Sequence, residues 1–249
     1  MYQFFIEDEN AAEDFVTIEG SDVNHIKNVL RMKPGEKIRV CTRNGQNYFC
    51  SISDVTESFV RADILEKEAE STELPCRIYL FQGLPKNDKM EWIIQKTVEL
   101  GVYEVIPVAM KNCVVKLDDK KAKSKVTRWQ AIAESAAKQS KRSLIPEVKM
   151  PMSYKEAVAY AKELDVKLVP YENEHGMAGT MAAMEQIKKG ESIAVFIGPE
   201  GGFAPEEIAL VQEEMQLISL GKRILRTETA GIAALAILGY QLESSDMIE

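Results

Sequence analysis

From residue 77 onward, short apolar runs alternate with longer stretches whose apolar residues recur every three to four positions. The runs at 77–82, 104–109, 166–170 and 192–197 have the length of strands. The stretches at 88–100, 127–141, 154–163, 205–215 and 227–243 have the period of helices. Strand followed by helix, repeated in this way, predicts a mainly parallel sheet covered by helices. The N-terminal part carries a different pattern. A helical period at 22–32 turns Val23, Ile26, Val29 and Leu30 inward and stops at Pro34-Gly35. Strands at 37–42 and 46–54 flank the hairpin signal Asn44-Gly45, and 58–65 alternates as a third strand. The charged stretch 66–73 has almost nothing to bury and reads as a linker. The expected organisation is α/β, with a small β-rich module at 1–70 and a larger domain at 74–249.

Composition changes this picture little: 45% hydrophobic and 28% charged residues are ordinary for a globular protein. No apolar run has bilayer length, and the first residues lack a basic region ahead of their short apolar patch, so a cytosolic protein is expected. Cys41, Cys50, Cys76 and Cys113 form no C-x-x-C pair and are expected to be reduced and inert. With His25 and His175 the only histidines, a histidine-based metal centre or a Ser-His-Asp triad has little material, and no metal is expected.

Charge matters more. The formal charge of −8 argues against a polyanionic partner, yet residues 111–142 hold ten basic residues against Asp118, Asp119 and Glu134. That segment is net +7 and leaves −15 for the rest, so it is either one cationic face or a solvated lysine-rich surface.

Two motifs carry the chemistry. At 192–207 an apolar run ends in Gly198-Pro199-Glu200-Gly201-Gly202-Phe203, with Pro205 placed for the first turn of a helix. This glycine loop has no G-K-[S/T], and Glu200, Glu206 and Glu207 put negative charge where a pyrophosphate would lie. A neutral or cationic ligand such as S-adenosylmethionine, which has an adenine and no phosphate, suits it better, and a tight strand-to-helix turn is the bland alternative. The second motif follows a short strand: Gly221 allows a turn, Thr227 can cap a helix with Glu228 in its first turn, and 231–238 is apolar around nearly the whole circumference. Such a helix is buried on every side, in the core or against a second subunit.

I-G-P-E-G-G-F at 197–203 followed by L-G-K-R-I-L-R-T-E-T-A at 220–230 resembles the bacterial RsmE enzymes of the SPOUT superfamily. The resemblance extends through L-P-K-N-D-K-M-E-W-I-I-Q-K-T-V-E-L-G at 84–101, R-W-Q-A-I-A-E-S-A-A-K-Q-S-K-R at 128–142 and H-I-K-N-V-L-R at 25–31, nearly the full chain. The basic start of that family is weaker here, with no Arg or Lys before Lys27. It implies a PUA-like β-barrel domain followed by a SPOUT domain with an α/β trefoil knot. It further implies a homodimer with cofactor pockets beside the interface, for which the apolar helix at 229–242 is a physical candidate, and S-adenosylmethionine-dependent methylation of uracil N3 in 16S ribosomal RNA of the small subunit. Transfer RNA or a ribose hydroxyl as target, or a non-catalytic RNA-binding or assembly protein, are the alternatives.

Carried onto this chain, the resemblance implies cofactor contacts from Gly198, Pro199, Glu200, Gly201 and Gly202 and from Leu220, Gly221, Ile224, Leu225, Arg226 and Thr227, with Pro170-Tyr171 as a third wall. For the chemistry, a cation near uracil O2 or O4 points to Arg226 or Lys222, and a proton acceptor to Glu200 or Glu228. RNA contacts are expected from His25 and Arg31, from Lys86, from Lys89 and Lys96 along one helix face, and from Arg128, Gln139 and Arg142.

Overall fold

The computed structural model describes residues 1–68 and 71–246. The chain divides into two compact units, Met1–Glu73 with Ala137–Ile145, and Leu74–Ala136 with Pro146–Glu249.

In the first unit, β1 (Tyr2–Ile6), β2 (Phe15–Glu19), β3 (Lys37–Thr42), β4 (Asn47–Val55) and β5 (Phe59–Glu68) form one sheet in the order β1-β3-β4-β5-β2. Only β1 and β3 run parallel. The period-2 alternation sends Phe4, Ile6, Val16, Ile18, Ile38, Val40, Cys50, Ile52, Val60 and Ala62 into one core. The two N-terminal strands escaped the pattern because each is only five residues long.

The expected helix at 22–32 is shorter and irregular. α1 (Ser21–Asn24) runs into a π-helical turn, His25–Val29, and Arg31 takes a left-handed φ of 54°. The wider turn shifts the register, so Val29, expected inward, is exposed.

The expected linker also needs correction. β5 continues through Glu68, which pairs with the buried Arg39. Glu73 accepts from the buried Arg142 and, at 2.8 Å, from Ser143 N–H. These carboxylates satisfy buried cations, a role that hydropathy does not register. Ala69 and Glu70 of that stretch lie outside the described residues. The same pairing explains why Ala137–Ile145 groups with the first unit: Gln3 Nε2 donates to Arg142 O at 2.6 Å, and Asn47 Nδ2 to Ser143 Oγ at 2.8 Å.

In the second unit β6 (Arg77–Gly83), β7 (Val102–Ala109), β8 (Glu147–Val148), β9 (Met152–Ser153), β10 (Val166–Pro170), β11 (Ser192–Ile197) and β12 (Gln216–Ile218) form a wholly parallel sheet. The order is β12-β10-β11-β6-β7-β8, with β9 beside β7. The central strands are buried along their length, and Phe81 stacks on Phe196 with ring centroids 4.4 Å apart. The helices are α2 (Lys89–Glu99), α3 (Asp119–Ser140), α4 (Tyr154–Ala161), α5 (Ala178–Glu185), α6 (Pro205–Val211) and α7 (Thr227–Asp246). α3 starts eight residues before the expected 127, through a lysine-rich turn with no apolar period, and α5 was not expected at all.

Candidate active site

The carboxyl ends of β10, β11 and β12 open into loops that enclose a cavity of about 590 Å³. This is the edge where parallel sheets hold ligands, and the volume suits a nucleoside-sized molecule. Three segments wall it: Pro170 to Glu172 with Glu174 and His175, Ile197 to Glu200 with Gly202 and Phe203, and 219–227.

The glycine loop is shaped by close packing. A Cβ on Gly198 would come 3.3 Å from the Phe203 ring, and Gly202 takes a left-handed φ of 66°. Gly201, expected at the cofactor, does not line the cavity. It packs on Asn112 instead, whose Nδ2 donates to Gly201 O at 3.0 Å and Gly202 O at 3.2 Å. The remaining expected cofactor residues, Pro170, Gly198, Pro199, Glu200, Gly202, Leu220, Gly221, Ile224, Leu225, Arg226 and Thr227, all border one space.

Of the three carboxylates expected on the loop, only Glu200 borders the cavity. Glu206 pairs with Lys111, and the buried Glu207 accepts from Lys111 N–H and Ala204 N–H, both at 2.8 Å. The start of α6 is thereby capped by its own third residue, so the N–H that a phosphate would take is already used. Glu172 and Glu174 restore negative charge from the β10 loop.

Lys89 is the main surprise among the basic residues. Its ammonium lies 3.0 Å from Glu200 Oε1 and 3.2 Å from Glu228 Oε2 at the cavity wall, and is not free for RNA. The Glu200 hydrogen bond, with help from Glu228, holds this ammonium above its ordinary pKa. Burial pushes the Glu200 carboxyl up, but the Lys86 N–H and the Lys89 ammonium outweigh it and hold it below its ordinary value. Glu228 does not line the cavity; it stands behind Lys89. Thr227 is the first residue of α7, and its hydroxyl, expected as a cap, donates to Gly198 O at 2.6 Å.

Lys222, Arg223 and Arg226 line the cavity, are exposed, and have no carboxylate within ion-pair distance among the described residues. Ile224 between them is 86% exposed. Arg142, expected on an exposed helix face, is a correction: α3 ends at Ser140, Lys141 turns left-handed with φ 62°, and Arg142 is 3% exposed against Glu73. Lys96 pairs with Glu99 at 2.8 Å over the Trp92 ring, and Arg128 with Glu91 at 2.7 Å. His25, Arg31, Lys86 and Gln139 are exposed. Gln82, Asn112, Glu172, Glu174 and His175 had no motif to mark them, because each reaches the site through tertiary packing, whereas Arg223 lies within the 220–230 motif and was passed over there.

Burial pushes the Cys41 and Cys50 thiols up to about 12. Among the described residues no group of three or more His, Cys, Asp or Glu side chains could hold a metal ion, and no helix is long and apolar enough to cross a membrane.

Comparison with known proteins agrees with this geometry. The family model described as an RNA methyltransferase domain matches residues 72–239, and that of an RNA methyltransferase PUA domain matches 18–65. The chain is 40% identical to the ribosomal RNA small subunit methyltransferase E of Bacillus subtilis (strain 168), covering 98% of each chain. The structure of a ribosomal RNA small subunit methyltransferase E from Neisseria gonorrhoeae bound to S-adenosyl methionine superposes with a TM-score of 0.84 at 32% identity, over 96% of this chain and 97% of that one. A methyltransferase from Legionella pneumophila in complex with bound SAM gives 0.83 at 30% identity, over 96% and 97%.

Proposed function

The chain belongs to the ribosomal RNA small subunit methyltransferase E family, and on that premise we propose how its residues methylate N3 of a uridine in 16S ribosomal RNA. The observation that carries the proposal is the cavity at the sheet's carboxyl edge, formed by eleven of the twelve residues expected at the cofactor.

S-adenosylmethionine fits these residues. The walls are 198–200, Gly202 and 219–221 with Pro170, Ile224 and Leu225, the start of α6 is capped by the Glu207 carboxylate, and Glu172 and Glu174 favour positive charge. When bound, it supplies an electrophilic methyl group. Pro199, Leu220 and Leu225 would hold its adenine between apolar surfaces, with the exposed Ile224 at the rim. Arg226, exposed and unpaired at the cavity, faces the uracil carbonyl oxygens and stabilises the negative charge that develops as N3 loses its proton. Glu200 is the carboxylate available to receive that proton, and its lowered pKa keeps it ionised. Lys89 fixes Glu200, and Glu228 fixes Lys89.

RNA contacts come from Lys86 and the exposed Arg128 in the 74–249 domain and from His25, Arg31 and Gln139 in the first unit, which contains the 1–70 module. The last segment of the 74–249 domain threads a loop to form the trefoil knot. The protein is a cytoplasmic homodimer that works on the small ribosomal subunit. The dimer reading is supported by α7: one face packs Ala234, Leu235, Leu238 and Leu242 inward, while Ala236 is exposed and Tyr240 is 76% exposed on the other.

A methyl-transfer assay on free 16S ribosomal RNA, its fragments and intact small subunits, with mass-spectrometric mapping, tests this reading. Label at uracil N3 in small-subunit substrate is the expected result. No transfer to any of them, with no heat of S-adenosylmethionine binding, refutes it. Light scattering at twice the monomer mass is expected; a monomer refutes the dimer.

A further inference from the structure

The end of β6 holds a buried polar side chain that the reaction above does not use. Gln82 is fully buried, and its carboxamide is only partly satisfied. Its Nε2 donates to Gly83 O at 3.1 Å and to Thr227 Oγ1 at 2.9 Å. Its Oε1 has no hydrogen-bond partner among the described residues. A Cβ added at Gly231 of α7 would come 3.2 Å from that oxygen, so the helix meets Gln82 where it has no side chain. A half-satisfied buried amide is costly, and a leucine of similar size would fill this apolar layer at lower cost. Core stability therefore gives no account of a glutamine here.

The hydrogen bonds give one. The Thr227 hydroxyl accepts from Gln82 and donates to Gly198 O at 2.6 Å. Gly198 and Thr227 belong to two different walls of the cavity. Directly beneath, Gly83 is packed so closely that an added Cβ would lie 2.7 Å from Pro199 N. The last two residues of β6 thus support the glycine loop through Gly83 and tie it to the start of α7 through Gln82. Glu228, one residue beyond Thr227, carries the second carboxylate on Lys89.

We propose that Gln82 is a positioning residue for the donor pocket. Acting through the Thr227 hydroxyl, it sets the distance between the loop at 198–202 and the loop ending at Thr227, and so the width of the slot between them. The inference rests on the reading of this cavity as the S-adenosylmethionine site.

Four proteins decide it: wild type, Gln82→Leu, Thr227→Val, which deletes the shared hydroxyl, and Thr227→Ser, which returns it. Calorimetry with S-adenosylmethionine and steady-state kinetics are run well below each melting temperature. Gln82→Leu and Thr227→Val are expected to raise the S-adenosylmethionine Kd and KM on the order of tenfold, the size of effect that leaving a buried group unpaired produces. The KM for RNA stays unchanged, and Thr227→Ser recovers most of the loss. Lowered melting temperatures with unaltered donor Kd would make Gln82 merely structural and overturn the proposal. Loss in Thr227→Ser as deep as in Thr227→Val would also overturn it. Should Gln82→Leu fail to fold, Gln82→Met, which keeps the length of the side chain and deletes its amide, takes its place in the comparison. Wild-type protein that binds no S-adenosylmethionine refutes the underlying reading instead, and is seen before any variant is compared.

Discussion

Replacing Lys89 with methionine removes one cation from between two carboxylates. The ammonium lies 3.0 Å from Glu200 and 3.2 Å from Glu228, with side-chain exposures of 27%, 26% and 18%, so all three groups are partly shielded from water. Exposed pairs contribute up to about 1 kcal/mol each, and stranding the partners adds to that, so a total of about 1–3 kcal/mol is at stake. Since 1.4 kcal/mol is a factor of ten in binding, S-adenosylmethionine affinity should fall roughly tenfold as the ligand has to restore the Glu200 loop. The pH dependence follows with a definite sign. Glu200 lies below its ordinary 4.5, so its contribution is present above pH 4.5 and lost as pH falls through the lowered value. Lys89 lies above its ordinary 10.5, so its contribution is present below pH 10.5 and lost as pH rises through the raised value. Between those limits the Glu200–Lys89 pair is fully charged. In Lys89→Met both carboxylates lose their shared cation while Glu200 keeps the Lys86 N–H, so Glu200 binds a proton more readily and the acid limb of kcat/KM moves to higher pH. Calorimetry and a pH–rate profile read both effects, with Lys89→Arg retaining the charge. A methionine variant with wild-type affinity and an unshifted acid limb would refute the reasoning.

Other perturbations separate chemistry from scaffold. Arg226→Ala should lower kcat by about a hundredfold or more with little change in S-adenosylmethionine Kd, as loss of one charge-stabilising donor does; full turnover removes the arginine from the scheme. Glu73→Ala takes the carboxylate from Arg142, which is buried in the first unit, and should cost about 2–4 kcal/mol in urea unfolding of that unit. Glu207→Ala strands the N–H groups of Lys111 and Ala204, each bonded at 2.8 Å, and should cost about 2 kcal/mol or more; unchanged unfolding would show both bonds to be dispensable. Lys86→Ala combined with Arg128→Ala should weaken RNA binding and flatten its salt dependence by up to about two counterions, with donor affinity intact.

The apolar patterning was enough to place most elements of the second unit. The strands at 166–170 and 192–197 match β10 and β11 residue for residue; β11 buries both faces and so reads as an apolar run from Ile193 to Ile197, while in β10 only Leu168 and Val169 are buried. The two glycine motifs were legible for a related reason: Gly198, Gly202 and Gly221 answer backbone demands that are local in the chain. What the sequence could not settle were interactions between distant segments. Lys89 lies 111 positions from Glu200 and Gln82 lies 145 from Thr227. No periodicity encodes such pairs, so Lys89 read as a free cation and Gln82 as one more strand residue. Arg142 read as exposed for the same reason, since its burial depends on a left-handed turn at Lys141 and on Glu73, 69 residues away. Hydrophobic period fixes which face of an element turns inward; only the assembled sheet decides which charges meet there, and it is those meetings that shape the pocket.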